Sequence, residues 1–173
     1  MIAEGNLIYL RPPQAGDEEV MFIWENDESL WPVSDTTEQY SLKDIEAFVK
    51  SDHNIFRQNQ LRLMICEKKT SRPLGCVDLF EFDEFHKRAG VGILIYATED
   101  KRKGFASQAL DLLANYCREE LELKQLFCNV LTDNESSINL FKKNHFVTIG
   151  EKKAWRRIGD EWKNELIMQR ILS

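Results

Sequence analysis

The sequence is short of the residues that would make a protein disulfide-bonded, metal-bound or membrane-spanning. It has 4 cysteines, 3 histidines and 4 prolines in 173 residues. Cys66, Cys76, Cys117 and Cys128 stand far apart, with no C-x-x-C pair and no histidine at ligand spacing, which argues against a disulfide framework or a zinc site. In strand-like and helix-like runs such thiols behave as small buried hydrophobes. His53, His86 and His145 form no triad or metal pattern, so no metal is expected. No apolar run reaches bilayer length, and the longest, Val91 to Ala97, is interrupted by Gly92. The start, Met1-Ile2-Ala3-Glu4-Gly5-Asn6, carries neither a basic nor an apolar export region, and a cytoplasmic protein away from membranes is expected. No lysine-serine pair follows a glycine-rich loop, which disfavours a nucleoside triphosphatase. Repeats and linkers are missing too, so residues 1–173 are expected to form one domain.

What the chain does have is enough apolar content for a core, 43 % hydrophobic against 30 % charged, and an acidic balance. The net charge of −6 speaks against nucleic acid as the partner and suits a cationic small substrate.

Periodicity predicts a mixed α/β order. Asn6 to Arg11 reads as a strand stopped by Pro12-Pro13, and Asp17 as the cap of a short helix with Val20, Met21, Ile23 and Trp24. Glu25 to Gln39 is polar and reads as a loop. Ser41 and Asp44 form a capping-box pattern ahead of Leu42, Ile45, Phe48, Val49 and Phe56 at helical spacing. Leu61 to Cys66, Leu74 to Phe82 and Arg88 to Ala97 read as strands. Gly104 to Glu119 reads as a helix, Gln125 to Leu131 as a buried strand and Asn134 to Asn144 as a short helix. Ala154 to Ile158 and Glu161 to Ile171 are expected to form a hairpin turning at Gly159-Asp160.

The segment with chemical content is Asp100-Lys101-Arg102-Lys103-Gly104-Phe105-Ala106, between a strand and an apolar helix. Three cations crowd a helix N-terminus whose dipole is already positive, where local stability favours acids. The inversion makes sense if an anion sits there, because unbonded first-turn amides plus Lys and Arg form a phosphate cradle. Gly104 and Ala106 leave room for a large anion against the backbone. A solvated basic turn is the plainer alternative.

The strand, Lys101-x-x-Gly104-x-Ala106 and the helix resemble the pyrophosphate-binding motif of GNAT acetyltransferases. Asn134-Glu135-Ser136-Ser137-Ile138 through Lys143-Asn144-His145-Phe146 resembles a segment of the RimJ/RimL-like branch. Leu10-Arg11-Pro12, Gly75 to Asp78, His86 to Ala89 and Gly159 to Met168 are similar to its spermidine N-acetyltransferases. The likeness spans nearly the whole chain. Lys101 replaces the usual Gln or Arg, Arg102 a common glycine, and Asn144-His145 the usual Leu-Gly, a pair tolerant of a left-handed turn. Phe141 replaces a frequent tyrosine acid, and Gly90 a frequent glutamate.

The resemblance implies a mostly antiparallel central sheet flanked by helices, with fourth and fifth strands splayed apart and a C-terminal hairpin. It implies acetyl-coenzyme A as donor, a primary amine as acceptor (a polyamine or protein N-terminus, otherwise an amino sugar or antibiotic) and a possible homo-oligomer. Ile95, Tyr96, Lys101, Arg102, Lys103, Gly104, Phe105, Ala106, Ser107, Asn134 and Ser137 would contact the cofactor, with a backbone amide near Ile95 or Tyr96 facing the developing oxyanion. Ser137, one helical turn from Phe141, would stand in for the missing phenol. Asp78 and Glu81 are the candidate bases, with Glu81 preferred; three apart, they face opposite sides of a regular strand unless a bulge intervenes. Glu28, Trp31 and Glu81 would flank the acceptor, with Glu25, Asp27, Asp35, Glu38 and Trp155 as further candidates. The competing reading is an acyl-coenzyme A-binding module with little catalysis.

Overall fold

The computed structural model describes residues 1–172. Strands β1 (Ala3–Glu4) and β2 (Ile8–Arg11) lead to helix α1 (Glu18–Glu25), a 3₁₀ segment over Glu28–Val33, and helices α2 (Leu42–Val49) and α3 (Ile55–Gln58). Then come β3 (Leu61–Glu67), β4 (Pro73–Asp83), β5 (Arg88–Ile95), α4 (Phe105–Glu119), β6 (Gln125–Leu131), α5 (Glu135–Lys143), β7 (Val147–Ile158) and β8 (Glu161–Ile171). They make one sheet in the order β1-β2-β3-β4-β5-β6-β8-β7. All neighbours are antiparallel except β5 and β6.

That parallel pair is short. It covers only Arg88–Gly90 against Gln125–Phe127, after which the two strands part. The short first strand makes them the fifth and sixth here, and they are the splayed pair the resemblance implies. Two cores flank the sheet. The larger joins Leu10, Leu63, Val77, Val91, Leu113, Cys117, Cys128 and Met168 beneath α4. The smaller joins Met21, Trp24, Ile45, Val49, Met64, Cys66 and Cys76 beneath α1 and α2. All four cysteines are buried and free. No helix among the described residues is long and apolar enough to cross a membrane.

Several local expectations meet the structure directly. Ser41 and Asp44 form a reciprocal capping box on α2, and Gly159 turns the last hairpin with a positive φ of 60°. Others are corrected. Asp17 occupies the cap position of α1 but caps nothing, because Arg11 takes its carboxylate through two bonds of 2.6 and 2.9 Å. The polar stretch after α1 is not all loop: Asp27 accepts from the Ser29 amide and starts a 3₁₀ turn. Phe56 belongs to a separate short helix rather than to α2. The strand before the last turn begins at Val147, not Ala154, and carries two bulges, one with Ala154 at φ 45°.

β4 and β5 approach so closely at one point that only glycine fits. A Cβ on Gly75 would stand 1.8 Å from the Leu94 carbonyl oxygen. Gly75→Ala therefore forces the strands apart beside the splay, and urea unfolding is expected to show a loss of about 1–3 kcal/mol, the usual range for overpacking. An unchanged midpoint would mean the backbone yields freely there.

Candidate active site

The splay opens towards the C-terminal ends of β5 and β6, and each of these strands is followed by a helix, α4 and α5. Two helix N-termini therefore stand at its mouth. Before α4 the chain makes a 3₁₀ turn over Thr98–Asp100. Asp100, only 3 % exposed, is gripped by both ends of the Arg72 guanidinium at 2.9 Å. That bond holds the Asp100 carboxyl below the usual carboxylate range and anchors the turn. Arg102 (φ 61°) and Gly104 (φ 86°) then adopt left-handed backbone. Gly104 takes this conformation without steric cost, whereas Arg102 bears some strain.

The outcome is a row of free donors. Among the described residues, the amides of Arg102 to Ser107 donate to no protein acceptor. Lys101, Arg102 and Lys103 are exposed around them, and a Cβ on Gly104 would meet nothing closer than Leu7 at 3.6 Å. A helix N-terminus with unbonded amides, a cationic rim and an open floor fits a phosphate-bearing group. The Phe105 side chain lies in the core, so only its amide is available to a ligand. The Ser107 hydroxyl accepts from the Asn144 amide at 3.1 Å, tying α4 to the end of α5.

Within the splay the two proposed oxyanion donors separate. The Tyr96 amide is already bonded to the Leu74 carbonyl at 3.0 Å, which removes it. Antiparallel strands alternate their amides between edges, so those of Ile93 and Ile95 turn to the β6 side, where pairing has ended. The Tyr96 phenol donates to Asp27 at 2.9 Å. Hydrogen bonds from Ser29 and from this phenol hold the Asp27 carboxyl low, and the same contact pushes the phenol up.

Gly90 is explained by its neighbours. A Cβ there would lie 2.2 Å from the Phe80 ring, and Phe80 packs edge-on against Phe127, ring centroids 5.7 Å apart. The space a glutamate side chain would occupy is filled by an aromatic ring. Gly92 meets nothing within 4 Å, and the irregularity lies on β4 rather than β5, between Phe80 and Asp83. Glu81 sits in it at φ 49°. With this bulge the two acids, which a regular strand would turn to opposite sides, both line the same cleft, Asp78 and Glu81 alike.

That cleft, about 1080 Å³, lies on the α1–α2 side of the sheet and runs from Trp31 to Trp155 across β4 and β5. Seven carboxylates and three Lys or Arg side chains line it. Asp78 is bound by Arg62 at 2.8 Å through each of its oxygens, and the third Arg62 nitrogen reaches Glu25 at 2.5 Å. Glu165 is buried beneath the hairpin between Lys152 at 2.9 Å and Arg156 at 3.7 Å. Arg156 also reaches the Ser34 carbonyl and Asp35, linking the hairpin to the segment that carries Trp31. Trp31 lines the cleft and donates its indole N–H to the Glu25 carbonyl at 3.1 Å. Glu28 is exposed, contacts Gln39 and is not among the cleft-lining residues. Arg62, Lys152, Arg156 and Glu165 were not singled out from the sequence, since an isolated charge on a strand has no spacing signal to mark it.

On α5, Asn134 caps the helix by accepting from the Ser137 amide at 3.3 Å. Phe141 is buried, 5.1 Å from Phe146 between centroids. Ser137 is half-buried one turn earlier, and His145 makes the left-handed turn at φ 69°.

The parted parallel strand pair thus stands between a row of free amides with a cationic rim on one side and an acid-lined cleft on the other. Comparison with known proteins gives the class. Residues 8–147 match the acetyltransferase (GNAT) domain family, and the chain belongs to that family, whose acyl donor is acetyl-coenzyme A. An uncharacterized N-acetyltransferase of Bacillus subtilis, YoaA, is 27 % identical over 153 residues, 84 % of this chain and 82 % of the relative. In fold the chain is similar to the spermidine N-acetyltransferase of Vibrio cholerae solved with coenzyme A and spermine, with TM-score 0.82, 22 % identity and 95 % of each chain covered. The same enzyme solved with manganese ions gives TM-score 0.78 and 24 % identity over 96 % of this chain and 94 % of that one.

Proposed function

We propose that this protein moves the acetyl group of acetyl-coenzyme A onto a primary amine, with a polyamine such as spermidine as the leading acceptor and a protein N-terminal amine as the next. The observation that carries the reading is the placement of free amides and cations at the head of α4, across the open splay from a cleft rich in carboxylates. The amides of Arg102 to Ser107, with Lys101, Arg102 and Lys103, hold the pyrophosphate. Ile95, with its amide turned into the splay, polarises the thioester carbonyl, which the donor supplies ready for attack by an amine.

A protonated amine titrates near pH 10, so a carboxylate must accept its proton before attack. Glu81 takes that role, directly or through water. It lines the cleft, the bulge turns it to the side of Asp78, and among the described residues it has no cationic partner. Ser137 donates to the departing thiolate in place of the phenol that Phe141 lacks. A thiolate leaves well without full protonation, so this contribution is small.

The test is coenzyme A release from acetyl-coenzyme A across spermidine, spermine, basic N-terminal peptides and amino sugars. Saturable release with the polyamines establishes the reading. Glu81→Gln is expected to lower kcat about 100-fold or more, the usual weight of a positioned base, with acetyl-coenzyme A binding unchanged by calorimetry. Tight cofactor binding with no release for any amine would make the protein a coenzyme A-binding module instead.

A further inference from the structure

The cleft holds a charge arrangement that the proposed reaction does not by itself require. Arg62 projects from β3 at the cleft floor, and its three nitrogens are shared between two carboxylates from different elements, Asp78 on β4 and Glu25 at the end of α1. Its side chain is 19 % exposed, that of Glu25 20 % and that of Asp78 32 %. A planar guanidinium gripping a carboxylate through two parallel bonds is the strongest form this contact takes.

The two acids are not equivalent. Both Asp78 oxygens accept from Arg62 at 2.8 Å, so a proton arriving there displaces a charge-assisted bond. Glu25 gives Arg62 one oxygen, and its other has only the Thr36 hydroxyl at 3.4 Å. Elsewhere in the cleft the charges compensate one another: Glu165 and Asp35 face Lys152 and Arg156, and Asp52 is held by Arg57. Asp44 keeps its charge in its capping box, but it stands exposed on α2 rather than on the sheet that forms the floor. The uncompensated negative charges on the floor are the Glu25–Arg62–Asp78 fork, which carries one in net, and Glu81.

The geometry points to Arg62 as a positioning residue for the acceptor. It withdraws Asp78 from proton acceptance and fuses two carboxylates into one anionic fork that binds an ammonium group of the acceptor, leaving proton transfer to Glu81. This inference rests on the amine-acetylating reading above and sharpens it: the favoured acceptor carries a second ammonium besides the one that reacts. That extra cation separates a polyamine from a monoamine or an amino sugar.

Three variants change the charge of the fork in steps. Asp78→Asn brings it to neutral, Arg62→Met to two negative charges, and the double variant returns it to one. Asp78→Asn is expected to raise the Michaelis constant for spermidine about tenfold while kcat stays within about threefold, the signature of lost ground-state binding rather than lost chemistry. The double variant is expected to bind spermidine within about threefold of wild type, because the fork's charge is restored although both native contacts are gone. A residue with a merely structural role gives no such rescue. The same ordering is read by calorimetry of spermidine on the coenzyme A-saturated protein, which needs no turnover. A fall in kcat of about 100-fold in Asp78→Asn with the Michaelis constant unchanged would identify Asp78 as the proton acceptor and overturn the inference. So would a double variant that binds no better than Asp78→Asn. Wild-type thiol release separates the two levels: its absence counts against acetyl transfer, whereas release without charge rescue counts against the fork alone.

Discussion

Gly104→Asp is expected to raise the dissociation constant for acetyl-coenzyme A by about 100-fold or more, from two costs acting together. At φ 86° an L-residue with a Cβ is strained by about 1–2 kcal/mol, so the free loop relaxes out of this conformation and binding must restore it. A carboxylate placed among the free amides of Arg102 to Ser107 also competes for the donors meant for phosphate and repels it. Losing one charge-assisted bond alone costs about 1.5–3 kcal/mol. Titration calorimetry with coenzyme A reads the loss. Gly104→Ala separates the terms, since it keeps the strain without the charge and is expected to lie between wild type and Gly104→Asp. Unchanged affinity in Gly104→Asp would place the pyrophosphate elsewhere.

The largest expected effect on stability comes from a residue away from the chemistry. Arg11→Met leaves Asp17, 3 % exposed, without the guanidinium that binds both of its oxygens. Breaking a buried pair by removing one partner costs about 3–5 kcal/mol, because the remaining charge is stranded. Against a typical total of about 5–15 kcal/mol this is a third or more of the whole, and the urea midpoint should fall accordingly. Replacing both partners, as in Arg11→Met with Asp17→Leu, is expected to recover most of the loss. Equal destabilisation in the single and double variants would show that Arg11 acts through its other contact, the Pro12 carbonyl at 3.2 Å.

The parts of this fold that the sequence reveals are those written in local chemistry. The capping box at Ser41, the apolar face of α4 and the turn at Gly159 each depend on residues within a few positions of one another, so spacing suffices to find them. The proposed cradle stands out for the same reason: three cations at a helix start break a local rule, and such a break is where a site is sought first. The rest depends on pairings across long separations. Nothing near Arg62 announces that it meets Glu25 and Asp78, and nothing near Glu165 announces Lys152. Asp17 illustrates the contest, since its local preference to cap α1 loses to Arg11, held beside it by strand β2. The bulge at Glu81 had no turn residue to signal it, because a glutamate at φ 49° is held there by its surroundings. The start of strand β7 escapes the sequence for a related reason: bulges break the alternation by which strands are recognised.

The buried cysteines decide how cleanly the release of coenzyme A can be read. Burial pushes the thiols of Cys76, Cys117 and Cys128 up to about 12 and raises that of Cys66 as well. Only the thiolate attacks a chromogenic disulfide, and at pH 8 a thiol titrating near 12 is ionised about once in ten thousand. The folded protein is therefore silent to such a reagent, while the free thiol of coenzyme A, exposed and ordinary, reacts at once. Colour that appears with substrate counts product, and colour that appears without it counts molecules that have come unfolded.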